Sequence, residues 1–153
     1  MSRIDYGSVA PEGRASLLKP YQYVEGCGLE ASLLSLVKVR ASQINGCAHC
    51  IEMHTKAARD HGETEERLYL LDAWRESPCY TARERAALEW TEAVTDISST
   101  STSDALYRDV RKEFTEKEMV DLTLAAAAIN SMNRVAIAFR LDLKHAGGAQ
   151  KAA

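Results

Sequence analysis

Along most of the chain apolar residues recur every three or four positions, and no run alternates apolar and polar residues long enough to specify a strand, so the spacing predicts an all-α protein. After an entry segment punctuated by Gly and Pro, Leu29, Leu33, Leu36, Val37, Arg40, Ala41 and Ile44 share helical spacing. Asn45-Gly46, the pair most tolerant of left-handed backbone, should end that helix. A second helix is expected from about residue 47 to Gly62, with Arg59 and His61 placed to favour the negative end of its dipole. Thr64 is positioned to cap a short helix running to about Trp74, and Ser77-Pro78 breaks the pattern.

Thr81 with Glu84 reads as a capping box ahead of Ala86, Trp90, Ala93, Val94 and Ile97, which lie on one face. The Ser/Thr tract at 98–103 should be a loop, because its hydroxyls compete with backbone hydrogen bonds. Residues 104–112 suggest another short helix. Thr115 with Glu118 repeats the capping box before the longest helix, about 116 to 143, which is apolar nearly all round and is therefore expected at the centre. The four alanines at 125–128 either let a neighbouring helix or second subunit approach closely or simply reflect helix propensity. Residues 147–153 are expected to fray.

The 153 residues fit one domain spanning 1–153 with a core at about 29–143. A net charge of -3 and scattered basic residues leave no field to attract a polyanion, so nucleic acid is not an expected partner. The first twenty residues lack the apolar core of a signal peptide. The most apolar segment, 122–129, falls far short of the roughly 20 residues needed to cross a bilayer. A soluble cytoplasmic protein with no membrane partner is the expectation.

In that reducing setting the four cysteines are not expected to form structural disulfides. Cys47 and Cys50 stand instead in Asn45-Gly46-Cys47-Ala48-His49-Cys50-Ile51-Glu52-Met53-His54, at the start of a helix. There, free backbone N–H groups favour thiolate and can lower a cysteine pKa to roughly 3.5–7.5. Three-residue spacing puts both sulfurs on one face, within reach of dithiol–disulfide exchange. His54, four residues after Cys50, lies on the same stripe and can move a proton. His49 points elsewhere on the wheel, yet near the helix start it can still reach a substrate or a preceding loop. Haem attachment is excluded, because Ile51 occupies the position after the second cysteine. The rival readings are an inert packed pair and a zinc ion held by Cys47, Cys50 and His54. Zinc would need Cys27 or His61 to complete the set, since no second ligand pair exists. Cys27 and Cys79 read as small core fillers.

The segment LVKVRASQINGCAHCIEMHTKAAR at 36–59 resembles the AhpD-like alkylhydroperoxidase branch of the carboxymuconolactone decarboxylase family. GETEERL at 62–68, RESPCYTARERAALEW at 75–90 and NRVAIAFR at 133–140 extend the match. The resemblance implies an all-helical homo-oligomer, a trimer or hexamer, that reduces hydroperoxides without a cofactor and is itself reduced by a lipoyl or thioredoxin-like donor. It also implies roles: Cys50 attacks peroxide, Cys47 completes the disulfide, His54 relays the proton, and His49 matches a histidine found between the cysteines. The family's glutamate twelve residues before the first cysteine is Ser35 here, so either another carboxylate such as Glu30 or Glu52 substitutes, or peroxidase turnover is weak, or a protein disulfide or another substrate matters more than peroxide. Asn133 and Arg134 also match and are read as structural. Two competing functions are a protein disulfide reductase with little direct peroxidase activity and a zinc-stabilised helical protein without catalysis.

Overall fold

A computed structural model describes residues 2–143. The described residues form α1 (Tyr6–Val9), α2 (Pro11–Glu25), α3 (Ala31–Ile44), α4 (Ala48–Asp60), α5 (Glu65–Tyr69), a 3-10 turn (Leu71–Ala73), α6 (Ala82–Thr95), α7 (Asp104–Val110) and α8 (Glu116–Ala138), with no strand among them. The all-α expectation therefore holds. The residues at 147–153 lie outside the described residues.

Local chemistry accounts for most of the boundaries. Both capping boxes form, Thr81 with Glu84 on α6 and Thr115 with Glu118 on α8. Thr64 caps α5 by accepting the Arg67 N–H at 3.3 Å, but this helix stops at Tyr69 and the 3-10 turn replaces the continuous helix expected to Trp74. Gly46 takes a positive φ of 66°. Its N–H reaches the Gln43 carbonyl at 3.0 Å, and the Cys47 N–H reaches that of Ser42 at 3.0 Å. These two bonds satisfy the last carbonyls of α3 and turn the chain sharply into α4.

Two expectations need correction. The entry segment is helical: α2 runs through Pro20 and packs against α8. The last helix stops at Ala138, five residues early, because Arg140 adopts φ 48° and closes the end without a glycine. This helix is central as expected, packing against α2, α3, α4 and α6. The most enclosed helix is α3. It packs against α4, α6 and α8 and buries nine consecutive or near-consecutive residues, Leu33 to Val39 with Ala41 and Ser42. By contrast, α8 leaves Val120, Leu124 and Ile137 in solvent.

The core is in two main parts. One gathers Val24, Leu33, Val37, Trp90, Phe114 and Leu122 between α2, α3, α6 and α8. The other gathers Leu36, Leu71, Trp74, Tyr80 and Leu88 beneath α5 and the 3-10 turn. Cys27 and Cys79 pack against these clusters, which fits their reading as small fillers. A third, smaller cluster carries the chemistry: Cys47, Cys50 and Ala136, covered by Leu141.

Candidate active site

Cys47 is at once the residue that follows the α3 stop and the N-cap of α4. Its sulfur accepts the backbone N–H of Cys50 at 3.3 Å, so the helix end stabilises negative charge on that atom. The two cysteines are joined as a disulfide with a Cα–Cα separation of 5.3 Å. Each is only 2% exposed.

Exposure alone does not separate them, but a cavity does. About 420 Å³ of space lies between α2, α4, α8 and the segment after α8, and its walls include Tyr21, His49, Cys50, His54, Met132 and Leu141. Cys47 is not among its walls. Access from this cavity therefore falls on Cys50, while helix-end stabilisation falls on Cys47. The wall is mainly apolar, with Arg14 as its strongly cationic member.

His54 follows Cys50 by one helical turn and is 4% exposed. Its Nε2 is buried without a hydrogen-bond partner. Burial, then the positive charge of Lys38, then His49, push its pKa down from 6.5 to about 4. The imidazole is thus neutral at physiological pH, with a nitrogen lone pair available. Its ring stacks with that of Tyr21 at a centroid distance of 6.3 Å. His49 points away from this stripe as the wheel indicated. Its Nδ1 lies 2.7 Å from the Asp142 carbonyl, and the ring still borders the cavity.

Neither carboxylate suggested as a substitute lines this cavity, and Glu30 is bound to Arg83, with Nε to Oε1 at 2.9 Å. Ser35 is 5% exposed; its hydroxyl donates to the Ala31 carbonyl at 2.9 Å and lies 3.4 Å from His61 Nδ1. An acidic group next to a wall residue is Glu25, which forms an ion pair with the buried Lys38 and acts electrostatically on Tyr21. It escaped the sequence reading because α2 was not recognised as a helix.

Among the described residues no group of three or more His, Cys, Asp or Glu side chains is arranged to hold a metal ion. Nor is any helix long and apolar enough to cross a membrane. Asn133 is fully buried and accepts from the Ser42 hydroxyl at 3.2 Å. Arg134 Nη1 binds the Asn130 carbonyl at 2.9 Å and its side-chain oxygen at 3.0 Å. Asn133 Nδ2, like His54 Nε2, is buried without a hydrogen-bond partner.

An all-helical frame that holds a buried Cys-x-x-Cys disulfide beside a neutral imidazole defines a class of thiol-bearing proteins. Residues 20–93 match the carboxymuconolactone decarboxylase family. The chain is 44% identical over 136 residues to the uncharacterised protein YdfG of Bacillus subtilis, which covers 89% of this chain and 92% of the relative. It superposes with a TM-score of 0.90 on a protein of unknown function from Agrobacterium tumefaciens, proposed to be the antioxidant defence protein AhpD. The two are 42% identical over 94% of this chain and 98% of that one. An uncharacterised peroxidase-related protein from Ralstonia eutropha JMP134, described as an alkylhydroperoxidase AhpD core, shares the fold with a TM-score of 0.81 at 18% identity, over 91% of this chain and 74% of that one. The chain belongs to the carboxymuconolactone decarboxylase family, in its AhpD-like branch.

Proposed function

We propose that the protein is a thiol peroxidase for organic hydroperoxides, working through Cys50, Cys47 and His54. The observation that carries this reading is that Cys50 forms part of the wall of a mainly apolar cavity with His54 one turn away and Cys47 bonded behind it.

In the reduced protein His54 accepts the Cys50 thiol proton. The Cys50 thiolate attacks the terminal peroxide oxygen: an S–O bond forms, the O–O bond breaks, and the sulfur loses two electrons to give a sulfenic acid and an alkoxide. Protonated His54 returns its proton to the alkoxide, which leaves as an alcohol. The Cys47 thiol then displaces water from the sulfenic acid, forming the S–S bond. A dithiol donor of lipoyl or thioredoxin type restores both thiols and becomes a disulfide itself. His49, at the cavity edge, contacts the entering substrate. No cofactor is required by this cycle.

The reading also includes self-association into a trimer or hexamer, supported by the exposed apolar residues Val120, Leu124 and Ile137 along α8. The test is consumption of cumene hydroperoxide with dihydrolipoamide as donor, set beside reduction of a model protein disulfide. Turnover of the peroxide that vanishes in Cys50→Ser is the expected result. Reduction of the protein disulfide without peroxide consumption would replace the assignment.

A further inference from the structure

His54 is a buried imidazole whose Nε2 has no hydrogen-bond partner, so its charge state depends on its surroundings. Around His54 those surroundings come from three helices. From α2, Tyr21 stacks on its ring. From α3, Lys38 places Nζ 4.8 Å from the centroid of that same Tyr21 ring. Lys38 is only 8% exposed, and lysine is almost never buried without a partner. Its partner is Glu25, one turn beyond Tyr21 on α2, whose side chain remains 49% exposed.

We propose that the Lys38–Glu25 pair is a positioning device for the thiol chemistry: Glu25 anchors the ammonium beside Tyr21, the ring that stacks on His54, where its positive charge adds to burial in favouring the neutral imidazole. The proposal rests on the thiol-cycle reading for its purpose, but the control it describes does not depend on which oxidant Cys50 meets. Neither Lys38 nor Glu25 touches the reacting atoms, so both are positioning residues.

Ser35 explains why the counter-charge arrives from another helix. Position 35 lies three residues before Lys38, so a carboxylate there would pair with the ammonium within α3. The serine hydroxyl instead bonds the Ala31 carbonyl, and a neutral hydroxyl cannot balance a buried cation. Glu25 supplies the balance while remaining in contact with water.

Among the described residues, the charged and titratable groups around His54 are Lys38 from α3, Tyr21, Glu25 and Arg14 from α2, Tyr6 from α1, and His49 and Cys50 from α4; α8 contributes Met132 and Ala136 to the cavity and no titratable group. Of these, Lys38 and His49 act on His54 in the direction of neutrality, adding to burial. The charge of Glu25, after burial, pushes the Tyr21 hydroxyl up to about 12, so this ring stays a neutral spacer at all ordinary pH.

The test follows the His54 ring by NMR titration in the folded disulfide protein, comparing wild type with Lys38→Met, Lys38→Gln, Lys38→Arg and Glu25→Gln. Lys38→Met should raise the His54 midpoint by roughly half a unit or more. Lys38→Arg, which keeps the charge, should leave it near the wild-type value. Glu25→Gln should move the midpoint less than Lys38→Met, because loss of the carboxylate charge lowers it while release of the ammonium raises it. Lys38→Gln, whose amide can still bond Glu25, should raise it as Lys38→Met does and answers the question even if Lys38→Met does not fold. Midpoints that stay put in Lys38→Met or Lys38→Gln, or that move equally in Lys38→Arg, overturn the proposal. None of these measurements uses a peroxide. Absence of peroxidase turnover in the wild type would therefore remove the substrate assignment and leave this result intact.

Discussion

The backbone N–H of Cys50 donates to the sulfur of Cys47, so the first cysteine caps the helix that carries the second. Stabilisation and access are thereby divided between two atoms. Cys47 is the better leaving group when a donor opens the disulfide, and Cys50 is the sulfur that a molecule in the cavity meets. Trapping with dimedone after peroxide treatment should give a sulfenic acid adduct in Cys47→Ser and none in Cys50→Ser, read by intact mass. The opposite pattern would assign the attack to Cys47.

His54 makes stability depend on pH in a defined window. Its folded pKa of about 4 lies below the ordinary 6.5, so between these values the unfolded chain binds more protons than the folded one. Stability therefore rises with pH through the window: the full contribution is present above about pH 6.5 and is lost as pH falls to about 4. The loss amounts to about 3 kcal/mol. Urea denaturation of wild type and His54→Phe at pH 7 and pH 4.5 isolates it, because carboxylates common to both proteins cancel in the difference. An equal pH dependence in the two proteins would contradict the assignment.

Asn130 ties the turn before the cysteines to the centre of the fold. Its amide donates to Thr95 Oγ1 at 2.9 Å and to the Ala126 carbonyl at 2.8 Å, and its oxygen accepts from Asn45 Nδ2 at 2.9 Å. Asn130→Ala leaves these partners without their bonds in a buried setting and should cost about 1–3 kcal/mol. Chemical denaturation at pH 7 measures it. A change below about 0.5 kcal/mol, the usual range for a surface substitution, would mean that the network adds little.

A carboxylate introduced at position 35 is expected to compete with Glu25 for the same ammonium. Ser35→Glu in the wild type places a second carboxylate near one cation in a buried site, whereas in Glu25→Gln it supplies the missing one. A double-mutant cycle on thermal stability should show Ser35→Glu to be less harmful in the Glu25→Gln background, with a favourable coupling of about 0.5 kcal/mol or more. Strict additivity would show that the two positions do not share Lys38.

Those features of fold and site that depend on near neighbours were legible in the sequence. Gly46 next to Asn45 marked the turn into α4, and Thr with Glu three residues later marked the starts of α6 and α8. Cys47, Cys50 and His54 shared a stripe because helical spacing alone places them there. Two kinds of feature were hidden. Pro20 and Gly13 disguise α2, although tertiary packing against α8 holds it helical, and with it went Tyr21 and Glu25. Arg140 ends α8 in a conformation usually left to glycine, so no sequence signal marked the stop. The resemblance gave the two sulfurs their roles, but helical spacing alone did not show which of them borders open space, because that space is formed in part by Met132 and Leu141, distant in the chain, and of the two sulfurs Cys50 lines it.

The stop at Arg140 has a bearing on selectivity. It turns the chain back so that Leu141 lies over the sulfurs and the Asp142 carbonyl meets His49. The doorway to the reactive sulfur is thus framed in part by a short stretch outside the helical scaffold. Substitutions confined to that stretch can widen or narrow the entrance, changing which molecules are admitted, while the helices and their redox pair stay as they are.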